Sequence, residues 1–190
     1  MCNLKPVLNM KALFKTSVKN LIYAALFITC SLSYGQQWST PVIDGYGGIV
    51  YDPTTSVQPR KNFEYKLLYK ITDDEKRNGV NRGLNGIAHA LNMFGVSGVD
   101  LKDVRIVASV SGKATFDLLS DEAYMKKYGT KNPNTELIKL LTENNVKLYV
   151  CSQALYPRDL ERDEINEHIV FALSASSVMS NYLMNGYVRM

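Results

Sequence analysis

Val104-Arg105-Ile106-Val107-Ala108-Ser109-Val110, followed at once by Ser111-Gly112-Lys113, is the stretch on which the fold turns. Its density of β-branched residues suits a central strand, and Ser111-Gly112 stops it. Upstream, Tyr65, Leu67, Leu68, Tyr69 and Ile71 make another strand. It ends at Thr72-Asp73-Asp74, which reads as a helix start. Leu84, Ile87, Leu91 and Phe94 then recur at helical spacing, with Gly95 closing the helix. Downstream, residues 114–128 form a helical stretch ended by Gly129. Asn132-Pro133 opens the next helix, whose buried stripe is Leu137, Ile138, Leu140 and Leu141. Residues 146–150 form a third strand ending at Cys151, residues 169–173 a fourth, 175–185 a helix and 187–190 a short last strand. Strands alternating with helices are the mark of βαβ units. The expected fold class is therefore α/β, a mainly parallel sheet of about five strands covered on both faces, over residues 63–190.

Residues 36–62 precede this regular region and carry Pro41, Gly45, Gly47, Gly48, Pro53 and Pro59, which exclude a long regular element. Trp38, Val42, Ile43, Tyr46, Ile49, Val50 and Tyr51 make the segment too apolar for a solvated linker. An ordered arm is expected, lying across the domain or across a neighbouring subunit.

The first 35 residues hold Lys5, Lys11, Lys15 and Lys19, no acidic residue, and an apolar run over residues 21–32. A positive start, an apolar core too short to span a bilayer and small residues at Ser33 and Gly35 predict a signal peptide over residues 1–35, cut before Gln36. The mature protein is then periplasmic or secreted, with no stable membrane span after cleavage. Met10 opens a tidier basic start and is a second candidate initiator. Lipid anchoring at Cys30 is the less favoured alternative, because Thr29 is a poor residue before a lipidated cysteine.

Removing the leader changes the charge. The chain's 22 Lys and Arg, less the four in the leader, leave 18 to set against 18 Asp and Glu. A neutral mature chain lacks the basic stripe of a nucleic-acid binder, and that class of partner is excluded. About 155 residues suffice for one core without disulfides or metals. Of the three cysteines, Cys2 and Cys30 fall in the leader, so Cys151 is the single thiol left and no intramolecular disulfide can form.

In a parallel sheet, ligands bind at the edge where the strands end. Asp73, Ser111-Gly112-Lys113 and Cys151-Ser152-Gln153 each follow a strand directly and share that edge. A thiol there, facing loop amides and a helix start, would have its thiolate stabilised, and Lys113 or Arg158 could add a positive charge. Cys151 turned inward as a small hydrophobic filler is the alternative, and both remain open on position alone. Gly112-Lys113 is no phosphate loop, because that motif needs Gly at 107 and Ser or Thr at 114, where this chain has Val107 and Ala114. Gly45-Tyr46-Gly47-Gly48 lacks a preceding strand and a following helix and is a loop. His89 and His168 have no ligand spacing with cysteines or carboxylates, and neither a metal site nor a cofactor is expected. Asp73-Asp74-Glu75 is assigned to the helix dipole.

Taken together, the arm Pro41-Val42-Ile43-Asp44-Gly45-Tyr46-Gly47, residues 65–71, 104–112 and 146–154, and the ending from Ala172-Leu173-Ser174-Ala175 to Gly186-Tyr187 resemble the DsrE/DsrF-like family, in particular an exported branch. The most specific piece is Val150-Cys151-Ser152-Gln153-Ala154-Leu155. The resemblance implies a three-layer, flavodoxin-like α/β/α domain, assembly into homo-oligomers (trimers or hexamers), and sulfur handling. In that reading Cys151 carries sulfur as a persulfide between a donor and an acceptor protein, with Ser111, Gly112, Lys113 and Gln153 as its pocket. Ser152-Gln153 and Tyr156-Pro157-Arg158 depart from the Ala-rich, Arg-Gly-containing helix start of the cytoplasmic sulfur relays, so the loop over the thiol differs. The alternative is a non-catalytic oligomeric ligand-binding or interaction module of the cell envelope.

Overall fold

The computed structural model describes residues 37–190; the leader expected over residues 1–35, its cleavage site and Cys30 lie outside them. In chain order the elements are β1 (Tyr65–Ile71), β2 (Lys76–Arg77), β3 (Val80–Asn81), α1 (Arg82–Val96), β4 (Val104–Val110), α2 (Asp121–Tyr128), α3 (Thr135–Glu143), β5 (Lys147–Cys151), β6 (Val170–Ala172), α4 (Ala175–Met184) and β7 (Val188–Arg189). Five strands form one sheet in the order β6-β5-β4-β1-β7, with every neighbouring pair parallel.

That order follows from the handedness of crossovers. From β1 through β4 and β5 to β6 the sheet grows in one direction, so right-handed connections keep α1, α2 and α3 on one face. The return from β6 across to β7 then lays α4 on the other. Strand residues alternate between the two layers. Leu67, Ile71, Ile106, Ala108, Val110, Leu148 and Val150 join Leu84, Ile87 and Leu91 of α1 and Leu137, Ile138 and Leu141 of α3 in the main core. Leu68 and Val107 meet Val178 of α4 in a smaller one, flanked by Tyr149, Tyr182 and Tyr187. The expected α/β/α sheet of five strands is what the chain forms.

Element boundaries differ from expectation in four places. No helix starts at residues 72–74: residues 76–81 form an antiparallel hairpin instead. It turns on Asn78 and Gly79, with φ of 53° and 84°. Asn-Gly with both residues at positive φ is the strongest two-residue hairpin signal, and it overrides the weaker acidic cue. The dipole role given to Asp73, Asp74 and Glu75 therefore falls; Glu75 instead pairs with Arg82 at 2.5 Å. The helix starts at Arg82, where the Asn81 side chain accepts the N–H groups of Gly83 and Leu84 at 2.8 and 3.2 Å.

Gly95 lies within α1 rather than closing it; its missing Cβ makes room for Val42 of the arm, whose Cγ2 would stand 2.4 Å from one. Residues 112–118 coil as a 3₁₀ turn, and α2 begins only after Ser120, whose hydroxyl accepts the Ala123 N–H. The next helix starts at Thr135, two residues beyond Pro133; the Asn132 side chain donates to the carbonyls of Asp117 and Leu119 and caps no helix.

The arm packs on α1 of its own domain. Asn92 Oδ1 accepts the N–H groups of Val42 and Ile43, each at 2.9 Å, while its Nδ2 donates to the carbonyls of Tyr46 and Gly47 at 2.8 and 3.0 Å. Asn85 accepts the Gly47 N–H at 3.0 Å. Only glycine fits at 47: its φ is +59°, and a Cβ would stand 2.1 Å from the His89 nitrogen.

Candidate functional site

Register brings three strand ends together, since Ile71 pairs with Val110 and Val110 with Val150. The Ser111 N–H donates to the Ile71 carbonyl at 3.0 Å and the Ala114 N–H to the Thr72 carbonyl at 3.3 Å, tying the turn after β4 to the end of β1. Gly112 makes the closest approach: its φ is +61°, and a Cβ would lie 2.4 Å from the Thr72 oxygen. Ser111 and Gly112 are half-buried, while Lys113, Asp73 and Gln153 are exposed. Gln153 sits in the 3₁₀ turn Ser152–Ala154, which leaves β5 directly. The residues singled out in the sequence thus occupy one edge of the sheet.

Cys151 is the last residue of β5 and pairs with Ala172 of β6. The hydroxyls of Tyr149 and Tyr182 meet at 2.8 Å, which sets Tyr149 on the α4 face. Alternation puts Cys151 on that face too. Ala172 stands two residues before Ser174, the α4 N-cap, whose hydroxyl accepts the Ser177 N–H at 3.0 Å. The thiol therefore ends its strand next to the segment that opens α4, where the positive end of a helix dipole favours an anion. It is free, and only 7% of Cys151 is exposed. A cleft of about 410 Å³ on this face is lined by Tyr149, Ala172, Leu173, Ser177, Val178, Asn181, Tyr182 and Asn185. Its wall includes Ala172, the strand partner of Cys151, but not Cys151 itself.

The cations expected near the thiol are placed differently from one another. Arg158 Nη1 donates to the Ala154 carbonyl at 2.7 Å, and its guanidinium lies 6.0 Å from the centre of the Phe116 ring. Lys113 extends to solvent. Among hydroxyls, Ser109 Oγ and Thr115 Oγ1 are buried with no partner among the described residues. Ser109 lies on the same face of β4 as Cys151 does of β5, paired with Tyr149 one pleat earlier.

A buried polar cluster beside this edge escaped the sequence reading. The carboxylate of Asp117, at the end of the turn after β4, receives Lys76 Nζ, Asn81 Nδ2 at 2.7 Å and Asn134 Nδ2 at 3.4 Å. The Asn81 N–H in turn donates to Asn134 Oδ1 at 2.7 Å. The cluster fastens the β2–β3 hairpin, the 112–118 turn and the start of α3 to one another. Its signal in the sequence is the pair Asn132 and Asn134 around Pro133, since side-chain amides in a loop are the usual braces of irregular backbone.

The fold has a counterpart. A solved structure of a protein of unknown function, MTH1491 from Methanobacterium thermoautotrophicum, superposes with a TM-score of 0.52 at 17% sequence identity, covering 67% of this chain and 98% of that one. At that identity the likeness is one of fold. No curated protein matches the chain. The DsrE/DsrF-like family model matches residues 68–189, which hold all five strands from the middle of β1 onward and Cys151. On that match, the chain belongs to the DsrE/DsrF-like family.

Proposed function

We propose that this protein is an exported sulfur carrier, in which Cys151 holds sulfane sulfur as a persulfide between a donor and an acceptor. The observation that carries the reading is the position of Cys151: an unbonded thiol at the end of β5, beside the segment that opens α4. The chemistry is thiolate exchange. The Cys151 thiolate attacks a terminal sulfane sulfur of a polysulfide, forms one S–S bond and expels the polysulfide one sulfur shorter. An acceptor thiolate then attacks the outer sulfur and leaves with it, returning the Cys151 thiolate. No net oxidant is consumed. With the Cys151 thiol only 7% exposed, a sulfur carried there is kept from solvent oxidants. Handover then requires the run of short 3₁₀ turns after Cys151, Ser152–Ala154 and Tyr156–Arg158, to lift from the sheet edge.

The same reading carries export by the lysine-rich leader, a periplasmic or secreted location and a homo-oligomer of three or six subunits. Recovery of mature protein beginning at Gln36 from the periplasm or medium supports export; a chain retained in the cytoplasm with its leader intact removes it. For the chemistry, the protein is incubated with polysulfide and its intact mass measured. Uptake of one sulfur by the wild type and none by Cys151→Ser is the expected result, and an unchanged wild-type mass overturns it. The burial of Cys151 favours one second reading, a non-catalytic oligomeric binding module of the cell envelope. That reading predicts a thiol protected from labelling until the protein unfolds, together with no sulfur uptake.

A further inference from the structure

A cavity of about 320 Å³ lies between the arm, the β2–β3 hairpin and the first half of α1, away from Cys151. Its wall has no carboxylate and one formal charge, the guanidinium of Arg77. Lys76 and Arg77 are successive strand residues, so their side chains point opposite ways. Lys76 turns inward to Asp117, which leaves Arg77 facing the arm with no ion pair among the described residues.

Asn85 supplies the second donor. It is 3% exposed, and its Oδ1 is committed to the Gly47 N–H. That bond fixes which end of the amide is oxygen, and Nδ2 has no hydrogen-bond partner among the described residues. The side chain is nearly buried while its Nδ2 opens on the cavity, so its N–H groups are free to donate to whatever occupies it.

The remaining wall includes glycine backbone and the rings of His89 and Trp38. His89 Nδ1 bonds the Gly48 carbonyl at 2.9 Å and pins the glycine run, and the Trp38 ring closes over Gly48, where a Cβ would meet Trp38 Cε3 at 3.4 Å. Trp38 is 66% exposed, an uncovered indole at the mouth of a polar hole. The volume falls in the lower part of the range of about 300–1,000 Å³ for small-molecule sites, with room for a body behind an anionic head.

We propose that this cavity binds a small organic carboxylate with a flat body, its head taken by Arg77 and the Asn85 amide and its body laid on Trp38. The chain has one tryptophan, so the fluorescence of the purified protein reports directly on the site. Titration with benzoate is expected to give a saturable change in Trp38 emission. Arg77→Gln and Asn85→Asp, the second of which keeps an oxygen for the Gly47 N–H, each weaken binding about tenfold or more, the scale of one charge-assisted hydrogen bond. A linear, unsaturable response in the wild type, or unchanged affinity in Arg77→Gln, overturns the proposal. Competition by sulfate as strong as benzoate's own binding also overturns it, because the site would then take a bare oxyanion and make no use of the indole. Arg77 lies on the exposed strand of the hairpin, so Arg77→Gln decides the matter even if Asn85→Asp impairs folding.

Discussion

Asn92 Oδ1 accepts the N–H of Ile43 at 2.9 Å, and both residues are fully buried although 49 positions separate them. With its bonds to Val42, Tyr46 and Gly47, this one side chain satisfies four backbone groups of an arm that has almost no ladder of its own. Asn92→Ala strands those groups or forces the arm off the helix, and either outcome costs stability. The expected loss in urea unfolding is about 2–4 kcal/mol, several hydrogen bonds' worth with unpaired groups left behind. Limited proteolysis should cut the arm faster in the variant. A wild-type unfolding midpoint with a wild-type cleavage pattern would show that Asn92 does not hold the arm.

Gly47→Ala tests the same contact from the other side. A Cβ there meets the backbone of α1, 2.1 Å from the His89 nitrogen and 2.4 Å from the Ala88 carbonyl carbon, and no side-chain rotation relieves it. The arm must leave. Fast proteolysis between residues 37 and 62, with the sheet domain still unfolding cooperatively, is the expected pattern; an arm as resistant as the wild type's contradicts the packing.

The sheet was legible because its strands announce themselves twice, by β-branched density in Val104–Val110 and by the helical stripes between strands. The arm was legible only as a fact of composition. Trp38, Ile43 and Tyr46 showed that it must be covered, but the partners that cover it, Asn85 and Asn92, are polar residues on the face of an amphipathic helix, where a hydrophobic pattern reads them as solvated. The hairpin was missed for a different reason. Asn78-Gly79 has strands of only two residues on either side, too short for alternation to register, so the acidic run before it reads as a helix start. At the candidate site, position in the sheet put Cys151 at the edge; its burial depends on the cover given by neighbouring segments, which no local pattern encodes.

Asp117 is 3% exposed and holds Lys76, Asn81 and Asn134 at once. Asp117→Ala leaves two buried amides and an ammonium without their acceptor, and about 3 kcal/mol or more of stability should go with it, as for breaking a buried charged pair from one side. Lys76→Met removes the partner whose side chain is 37% exposed and should cost less. Equal losses in the two variants would mean that the asparagines contribute nothing to holding the carboxylate.

Ser109 gives the opposite expectation. Its hydroxyl is buried on β4 with no partner among the described residues, so Ser109→Ala removes a desolvated polar group at the expense of one oxygen's volume. Stability should stay the same or rise by up to about 1 kcal/mol, since the penalty of the unpaired group is relieved. Thr115→Val should behave alike. A fall of more than about 1 kcal/mol on Ser109→Ala would mean that the hydroxyl has a bound partner, such as a water on the thiol side of β4.

Burial and the hydrogen bond with Tyr149 raise the pKa of Tyr182 well above the ordinary phenol value of 10.0. The sign follows from linkage: a group whose pKa is higher folded than unfolded stabilises the fold below the unfolded value, and that contribution disappears as pH climbs from there toward the folded one. Stability should therefore decline as pH passes about 10, where unfolded tyrosines release their protons and the folded Tyr182 does not. Tyr182→Phe removes one such proton from the balance. Tyr69, raised by burial, retains its share. The variant should be weaker at neutral pH by about 0.5–1.5 kcal/mol for the lost Tyr149 hydrogen bond, yet lose less than the wild type between about pH 9 and pH 11. Urea titrations at those pH values measure both quantities. Parallel declines in the two proteins would place the alkaline sensitivity elsewhere, and a variant that falls more steeply would reverse the sign of the linkage.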